Sequence, residues 1–172
     1  MPSPGADVFL SYSREDRLVA EVVASQLGLF GYDVWWDRDL ISGSDYEQVI
    51  QRQLASARAV VVLWSHTSVN SGWVRDEAAT AVERRVLVPA MLARNDGAMP
   101  TVPLGFRSLH TIPLNLDDPR ELVKAVTRLA GATNPLPAPA IPRPASPLGV
   151  FDAILAAAFA IALGLLVWRL IY

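Results

Sequence analysis

The sequence predicts an α/β protein. It reads as a flavodoxin-like, five-stranded parallel sheet of order 2-1-3-4-5 with helices on both faces, followed by a separate C-terminal transmembrane helix. Three observations predict this. Short apolar runs alternate with stretches of helical periodicity between about residues 6 and 130, the pattern of successive βα units. The run Ala59-Val-Val-Val-Leu-Trp64 is apolar throughout, as expected of a central parallel strand buried on both faces. A second apolar run, Ala153 to Trp168, has no charged or strongly polar residue on any face, so it carries no amphipathic stripe.

Taken in order, Val8-Phe9-Leu10 is the first strand, and Ser13-Arg-Glu-Asp16 is a capping-box-like start to the first helix. Leu18, Val19, Val22, Val23 and Leu27 follow at helical spacing until Gly31 ends the helix. Tyr32 to Trp36 is the second strand, with Trp35 and Trp36 expected to part, one packing inward and one flanking the next loop. Ser44-x-x-Glu47 opens a second helix carrying Tyr46, Val49, Ile50 and Leu54. After the strand Ala59–Trp64, Ser71 caps a third helix that runs to about Arg84. Val86 to Leu92 is the fourth strand, and Leu109 to Leu114 a weaker fifth. Asp118-Pro119 supplies an N-cap and a first-turn proline for a last helix ending near Ala130.

The expected domains are a disordered N-terminus (1–5), the α/β domain (6–130), a proline-rich linker (131–148) and a transmembrane helix (149–172). Six of the thirteen prolines fall between Gly131 and Leu148, where they exclude helix and central strand. As polyproline-like chain, the linker spans about 55 Å at roughly 3.1 Å per residue. The uncharged run beyond it is shorter than the ~20 residues of a span; Leu148 to Phe151 and Leu170 to Tyr172 extend it. Arg169 can snorkel, and Trp168 and Tyr172 suit the interface. Docking of this helix on the domain or on a partner is the alternative. Met1 to Asp7 shows no basic region ahead of an apolar core, so no signal peptide is expected there.

Composition removes several functional classes. There is no cysteine, which excludes disulfide scaffolds, thiolate zinc sites and cysteine nucleophiles. The two histidines, His66 and His110, are far apart in sequence and give no multi-histidine metal site. Lys124 is the only lysine and lies in no Gly-Lys-Ser/Thr loop. A net charge of -2 speaks against a nucleic-acid binder that works through phosphate contacts. A phosphoacceptor receiver is excluded too, because the third strand ends in Trp64-Ser65 where that chemistry needs an aspartate.

In sheets of this order, ligands bind beyond the carboxyl ends of the strands, near the switch point between strands 1 and 3. Ser11-Tyr-Ser-Arg-Glu-Asp16 places hydroxyls, a cation and a helix start there; it serves equally as a capped turn or an anion site. Asp37 to Asp45 is a charged, Gly-containing loop, either a solvated connection or a cover for a pocket or partner. Trp73 and Glu77 stand four apart on the third helix and so share a face. Either they are a core tryptophan and a surface glutamate, or they form a ring-plus-carboxylate pair suited to a cationic aromatic ligand. His66 reads as a polar loop residue.

Together these segments resemble a TIR (Toll/interleukin-1 receptor) domain of the bacterial type. Asp7-Val-Phe-Leu-Ser-Tyr-Ser13 resembles the family's first box. Gly31-Tyr-Asp-Val-Trp-Trp-Asp37, with Gly43 and Tyr46, resembles its second strand and BB loop. Val60-Val-Val-Leu-Trp-Ser65 resembles its third strand. Ser71-Gly-Trp-Val-Arg-Asp-Glu77 resembles the catalytic helix of NAD-cleaving members, and Gly105-Phe-Arg107 also fits. The BB loop lacks the proline of many animal adaptors, and Tyr46 stands where many bacterial members have Trp or Phe.

The resemblance implies cleavage of the nicotinamide–ribose bond of NAD, with NAD as substrate and no cofactor or metal. Glycosidases ordinarily use two carboxylates, one to protonate the leaving group. The nicotinamide nitrogen of NAD is already cationic and leaves neutral, so one carboxylate suffices. The resemblance makes Glu77 that catalytic carboxylate and has Trp73 shape the pocket. Ser11, Ser13, Arg14 and Ser65 are candidates for the nucleotide, and Arg38, Asp39, Gly43 and Asp45 for a self-association loop. Expected partners are NAD, other TIR domains in a homo-oligomer, and membrane lipid; nucleic acid is not expected. The expected location is a membrane, crossed once, with the TIR domain facing the cytoplasm. Two other classes stand beside this reading: a non-enzymatic TIR–TIR adaptor tethered to a membrane, and the front end of a longer receptor-like protein.

Overall fold

Strands of four and six residues, Val8–Ser11 and Ala59–Trp64, lie side by side at the centre of the sheet and are buried from end to end. A computed structural model of the chain describes residues 5–36, 44–94 and 96–133, and of residues 44–46 the backbone alone. The chain divides into two units, Met1–Pro137 and Ala138–Tyr172, and every described residue belongs to the first. The strands are β1 (Val8–Ser11), β2 (Val34–Trp35), β3 (Ala59–Trp64), β4 (Leu87–Met91) and β5 (Ile112–Pro113). The helices are α1 (Arg17–Leu29), α2 (Ser44–Ser56), α3 (Gly72–Glu83) and α4 (Arg120–Ala130). All pairings are parallel and the order is β2-β1-β3-β4-β5, as the sequence predicts.

The period-2 alternation of strand side chains sorts the core into two layers. Val8 and Leu10 of β1, with Ala59, Val61 and Leu63 of β3, pack with Ala20, Val23 and Leu27 of α1 and Leu122 and Val126 of α4. Phe9, Val60, Val62 and Trp64 face the other way, onto Ile50 and Leu54 of α2 and Val74, Ala78 and Ala81 of α3. Trp35 and Trp36 part as expected, but both pack: Trp35 stacks on Phe9 at 4.9 Å, while Trp36 meets Tyr12 at 6.3 Å on the opposite side.

Asp7 ties the amino edge together. Its carboxylate accepts the Asp33 N–H at 3.1 Å and pairs with Arg58 at 3.0 Å, and its carbonyl accepts the N–H groups of Arg58 and Ala59. The first residue of the Asp7–Ser13 segment thus works as a clamp on β1, β2 and β3. On the second layer Arg84, which ends α3, donates to the Leu54 and Ala57 carbonyls at the close of α2, satisfying acceptors that a helix end leaves open.

Several boundaries differ from the sequence-based expectation. β2 covers Val34–Trp35 instead of residues 32–36. Tyr32 is drawn away to α4, where its hydroxyl meets Thr127 at 2.7 Å and the Gly131 carbonyl at 3.0 Å. β5 is reduced to Ile112–Pro113, although the Leu114 N–H beyond it still reaches the Met91 carbonyl at 2.7 Å. The capping box at Ser13 does not form. A 3-10 turn, Arg14–Asp16, precedes α1, and neither Ser13 nor Asp16 makes a side-chain cap; both side chains are engaged across the sheet edge instead. At α4 Pro119 takes the cap position, and Asp118 still accepts the Arg120 N–H at 3.2 Å. Hydrogen bonds from Arg120 hold the Asp118 carboxyl down to about 2. Gly31 closes α1 with a φ of 86°, as only glycine does without strain.

No helix among the described residues is long and apolar enough to cross a membrane. The expected transmembrane helix (149–172), almost all of the linker and residues 1–4 lie outside the described residues.

Candidate active site

On α3 the buried positions are Val74, Glu77, Ala78 and Ala81, an i, i+3, i+4, i+7 stripe. Glu77 occupies the one place in it where a charge stands instead of an apolar side chain, and it is 8% exposed. Burial of a carboxylate is costly unless donors meet it. Ser11 is one such donor: its hydroxyl lies 2.5 Å from Glu77 Oε2, across 66 residues of sequence. Strand parity explains the meeting. Ser11 shares a face with Phe9, which packs in the layer of α2 and α3, and it is the last residue of β1. The carboxylate therefore sits at the carboxyl edge of the sheet, beside the switch point between β1 and β3.

Trp73 lies one turn before Glu77 and is 50% exposed. The arrangement inverts the plainer expectation of a core tryptophan and a surface glutamate. α3 is anchored ahead of both by Ser71, whose hydroxyl oxygen accepts the Val74 N–H at 3.3 Å, a standard N-cap. Neighbouring Asp76 is exposed.

The remaining nucleotide candidates divide into two groups. Ser13 and Ser65 come together around Asp16. Ser65 Oγ is 2.5 Å, Ser13 Oγ 3.1 Å and Thr67 Oγ1 3.2 Å from Asp16 Oδ2, and Ser13 Oγ is also 2.7 Å from Glu15 Oε2. Each hydroxyl has one proton. An allocation that serves both acids sends Ser65 and Thr67 to Asp16 and Ser13 to Glu15. The Ser13 hydrogen bond, with Glu15's own backbone N–H, holds the Glu15 carboxyl below its ordinary range. Ser65 also receives the N–H groups of Thr67 and Ser68 at 3.2 and 3.0 Å. The knot stitches the β1–α1 connection to the β3–α3 connection. Arg14 stands apart and exposed at the start of the 3-10 turn. Arg38, Asp39 and Gly43, with the side chain of Asp45, lie outside the described residues.

An open groove of about 670 Å³ runs past Asp16, Ser65 and Thr67 to Leu92 and Arg94, along the carboxyl ends of β3 and β4. His66 in its wall donates from Nε2 to the Ala98 carbonyl at 3.2 Å, as a polar loop residue does. The Gly105–Arg107 segment is structural: Phe106 meets Trp64 at 5.1 Å, and Arg107 donates to the Val102 carbonyl at 2.8 Å.

Asp16 and Thr67 are the residues that sequence reading missed. Asp16 entered only as part of a capping box, and no local signal links it to Thr67. The hydroxyl-rich run Ser65-His-Thr-Ser68 was the one hint, since such a run needs acceptors. Among the described residues no group of three or more His, Asp or Glu side chains could hold a metal.

Comparison with known proteins agrees with this architecture. A profile described as "TIR domain" matches residues 8–129. A search of curated proteins found no match. Among solved structures, a metazoan TIR-STING receptor from C. gigas, in complex with 2',3'-cGAMP, is 23% identical with a TM-score of 0.57. The match covers 73% of this chain and 41% of that one, so the chain spans less than half the length of that receptor. The TIR domains of the activated Roq1 resistosome, which directly recognises the pathogen effector XopQ, are 19% identical with a TM-score of 0.43. That match covers 76% of this chain and 86% of the other.

Proposed function

The chain belongs to the TIR domain family, and from that premise we propose that it is a membrane-anchored member of the bacterial type that cleaves the nicotinamide–ribose bond of NAD in signalling or defence. The observation that carries the reading is Glu77: a nearly buried carboxylate at the carboxyl edge of the sheet, 2.5 Å from Ser11 and one turn from a half-exposed tryptophan.

The chemistry asks little else of the protein. When the C1′–N bond breaks, its electron pair goes to the nicotinamide ring, which leaves neutral. Positive charge develops on the ribose, and a fixed carboxylate stabilises it more than it stabilises the ground state. Water adding at C1′ gives ADP-ribose and one proton; an adenine nitrogen adding there gives the cyclic product. Trp73 offers an indole face beside the carboxylate for the cationic ring before it leaves.

Membrane attachment and self-association belong to the same proposal. The uncharged run Ala153 to Trp168 supports a single span in contact with lipid, and a TIR domain on the cytoplasmic side belongs to the same proposal. The full chain is expected to sediment with membranes and resist high-salt washing, while residues 1–132 remain in the supernatant. A full chain that stays dispersed without detergent removes the anchor.

Arg38 to Asp45 is the proposed contact between TIR domains in a homo-oligomer. Tethering raises effective concentration, so nicotinamide release from NAD per molecule should rise with protein density on vesicles. A rate strictly proportional to enzyme down to monomeric dilution contradicts self-association. An absence of nicotinamide release at every density contradicts the enzyme reading and leaves a tethered adaptor.

A further inference from the structure

We infer that Ser11 is a positioning residue that orients the Glu77 carboxylate, and not a contact for the nucleotide. The inference rests on the NAD-cleaving reading and assigns one residue of that site its part.

Ser11 is 2% exposed, so it has almost no surface to offer a substrate. Its single hydroxyl proton is directed at Glu77 Oε2, 2.5 Å away, and is not available for a second acceptor. The other two serine candidates behave differently, since Ser13 turns to Glu15 and Ser65 to Asp16. Ser11 is also well placed to hold another side chain still. It is the last rung of β1, paired with Val62 of a fully buried β3, and a site built on a strand is held more tightly than one built on a loop.

Glutamate has three side-chain torsions and points here out of an otherwise apolar stripe, Val74, Ala78 and Ala81. A charged hydrogen bond from a fixed strand picks one orientation among them. The carboxylate is thereby preorganised before NAD arrives, which is the condition for electrostatic stabilisation without reorganisation.

Steady-state kinetics on the full chain, on vesicles at fixed density, separates the two roles. Ser11→Ala is expected to lower kcat about ten- to hundredfold, the loss typical of a misplaced reacting group, with KM changed less than about twofold. Ser11→Thr keeps the hydroxyl on a residue suited to a strand and should recover most of kcat. A raised KM with unchanged kcat makes Ser11 a substrate contact and overturns the inference. So does a threonine variant as slow as the alanine one.

A second measurement needs no turnover. In a double-mutant cycle of Ser11→Ala and Glu77→Ala, followed by urea unfolding of the full chain in detergent, the effects on the unfolding constant should be coupled by on the order of tenfold. Independent effects overturn the contact itself. A parent chain that leaves NAD intact overturns the hydrolase reading and with it the kinetic assignment, whereas the cycle still decides whether Ser11 holds Glu77.

Discussion

Glu77→Gln is expected to fold like the parent and to cleave NAD about a hundredfold more slowly. Glutamine matches glutamate in shape, and its amide oxygen can still accept the Ser11 hydroxyl that lies 2.5 Å from Oε2. Packing against the Val74, Ala78 and Ala81 stripe is therefore kept, and the thermal midpoint should move by no more than about 2 °C, as for other substitutions that leave packing and hydrogen bonds in place. What is lost is the negative charge facing the developing positive charge of the ribose. Removing one preorganised electrostatic contact costs on the order of 3 kcal/mol, which is roughly a hundredfold in rate. Asp76→Asn is the control: it is one residue away, about 100° around the helix, and exposed, so activity should be largely retained. Nicotinamide release measured on the three chains decides the matter. A Glu77→Gln protein as fast as the parent would falsify both the assignment of the carboxylate and the charge-based mechanism.

The largest effect on stability is expected at Trp64. Its side chain is completely buried at the carboxyl end of β3 and packs at 5.1 Å on Phe106. Truncation to alanine leaves a cavity that the rigid central strand cannot close, at a cost of about 3–5 kcal/mol. In a domain of this size that lowers the thermal midpoint by roughly 10–20 °C. Trp64→Phe should cost far less. Among the described residues the indole Nε1 has no hydrogen-bond partner, so phenylalanine gives up some volume but also removes a buried donor that carries its own penalty. Denaturation midpoints of the two variants test this: equal losses would mean that the indole nitrogen is in fact satisfied and the ring's size is secondary.

The same tryptophan shows how far the sequence could be read. The run Ala59–Trp64 announces a buried central strand because an all-apolar stretch of that length has no solvent face. Its ends matched to the residue. The edge strands are shorter than their apolar runs, since an edge strand pairs on one side only and competes with other uses of its residues; Tyr32 goes to Thr127 and Gly131 instead. The helix start at Ser13 differs from the local expectation for a related reason. A capping box is a local solution, and here Thr67 and Ser65 from another connection claim the same side chains.

Element type, element order and the doubly wound architecture follow from the sequence alone. They depend on periodicities of 2 and 3.6 residues and on turn chemistry, all of which act over a few residues. Those periodicities put Trp73 and Glu77 on one face of α3, but they cannot tell which of the two is buried. That choice belonged to the tertiary structure. It depends on how α3 rotates against the sheet, which is decided by the summed packing of Val74, Ala78 and Ala81 on Phe9, Val60, Val62 and Trp64. The contact of Ser11 with Glu77 was likewise out of reach of local reasoning. It joins residues 66 positions apart, and a hydrogen bond of that kind forms only after β1 has taken its place beside β3 and the helix beyond β3 has folded back over both.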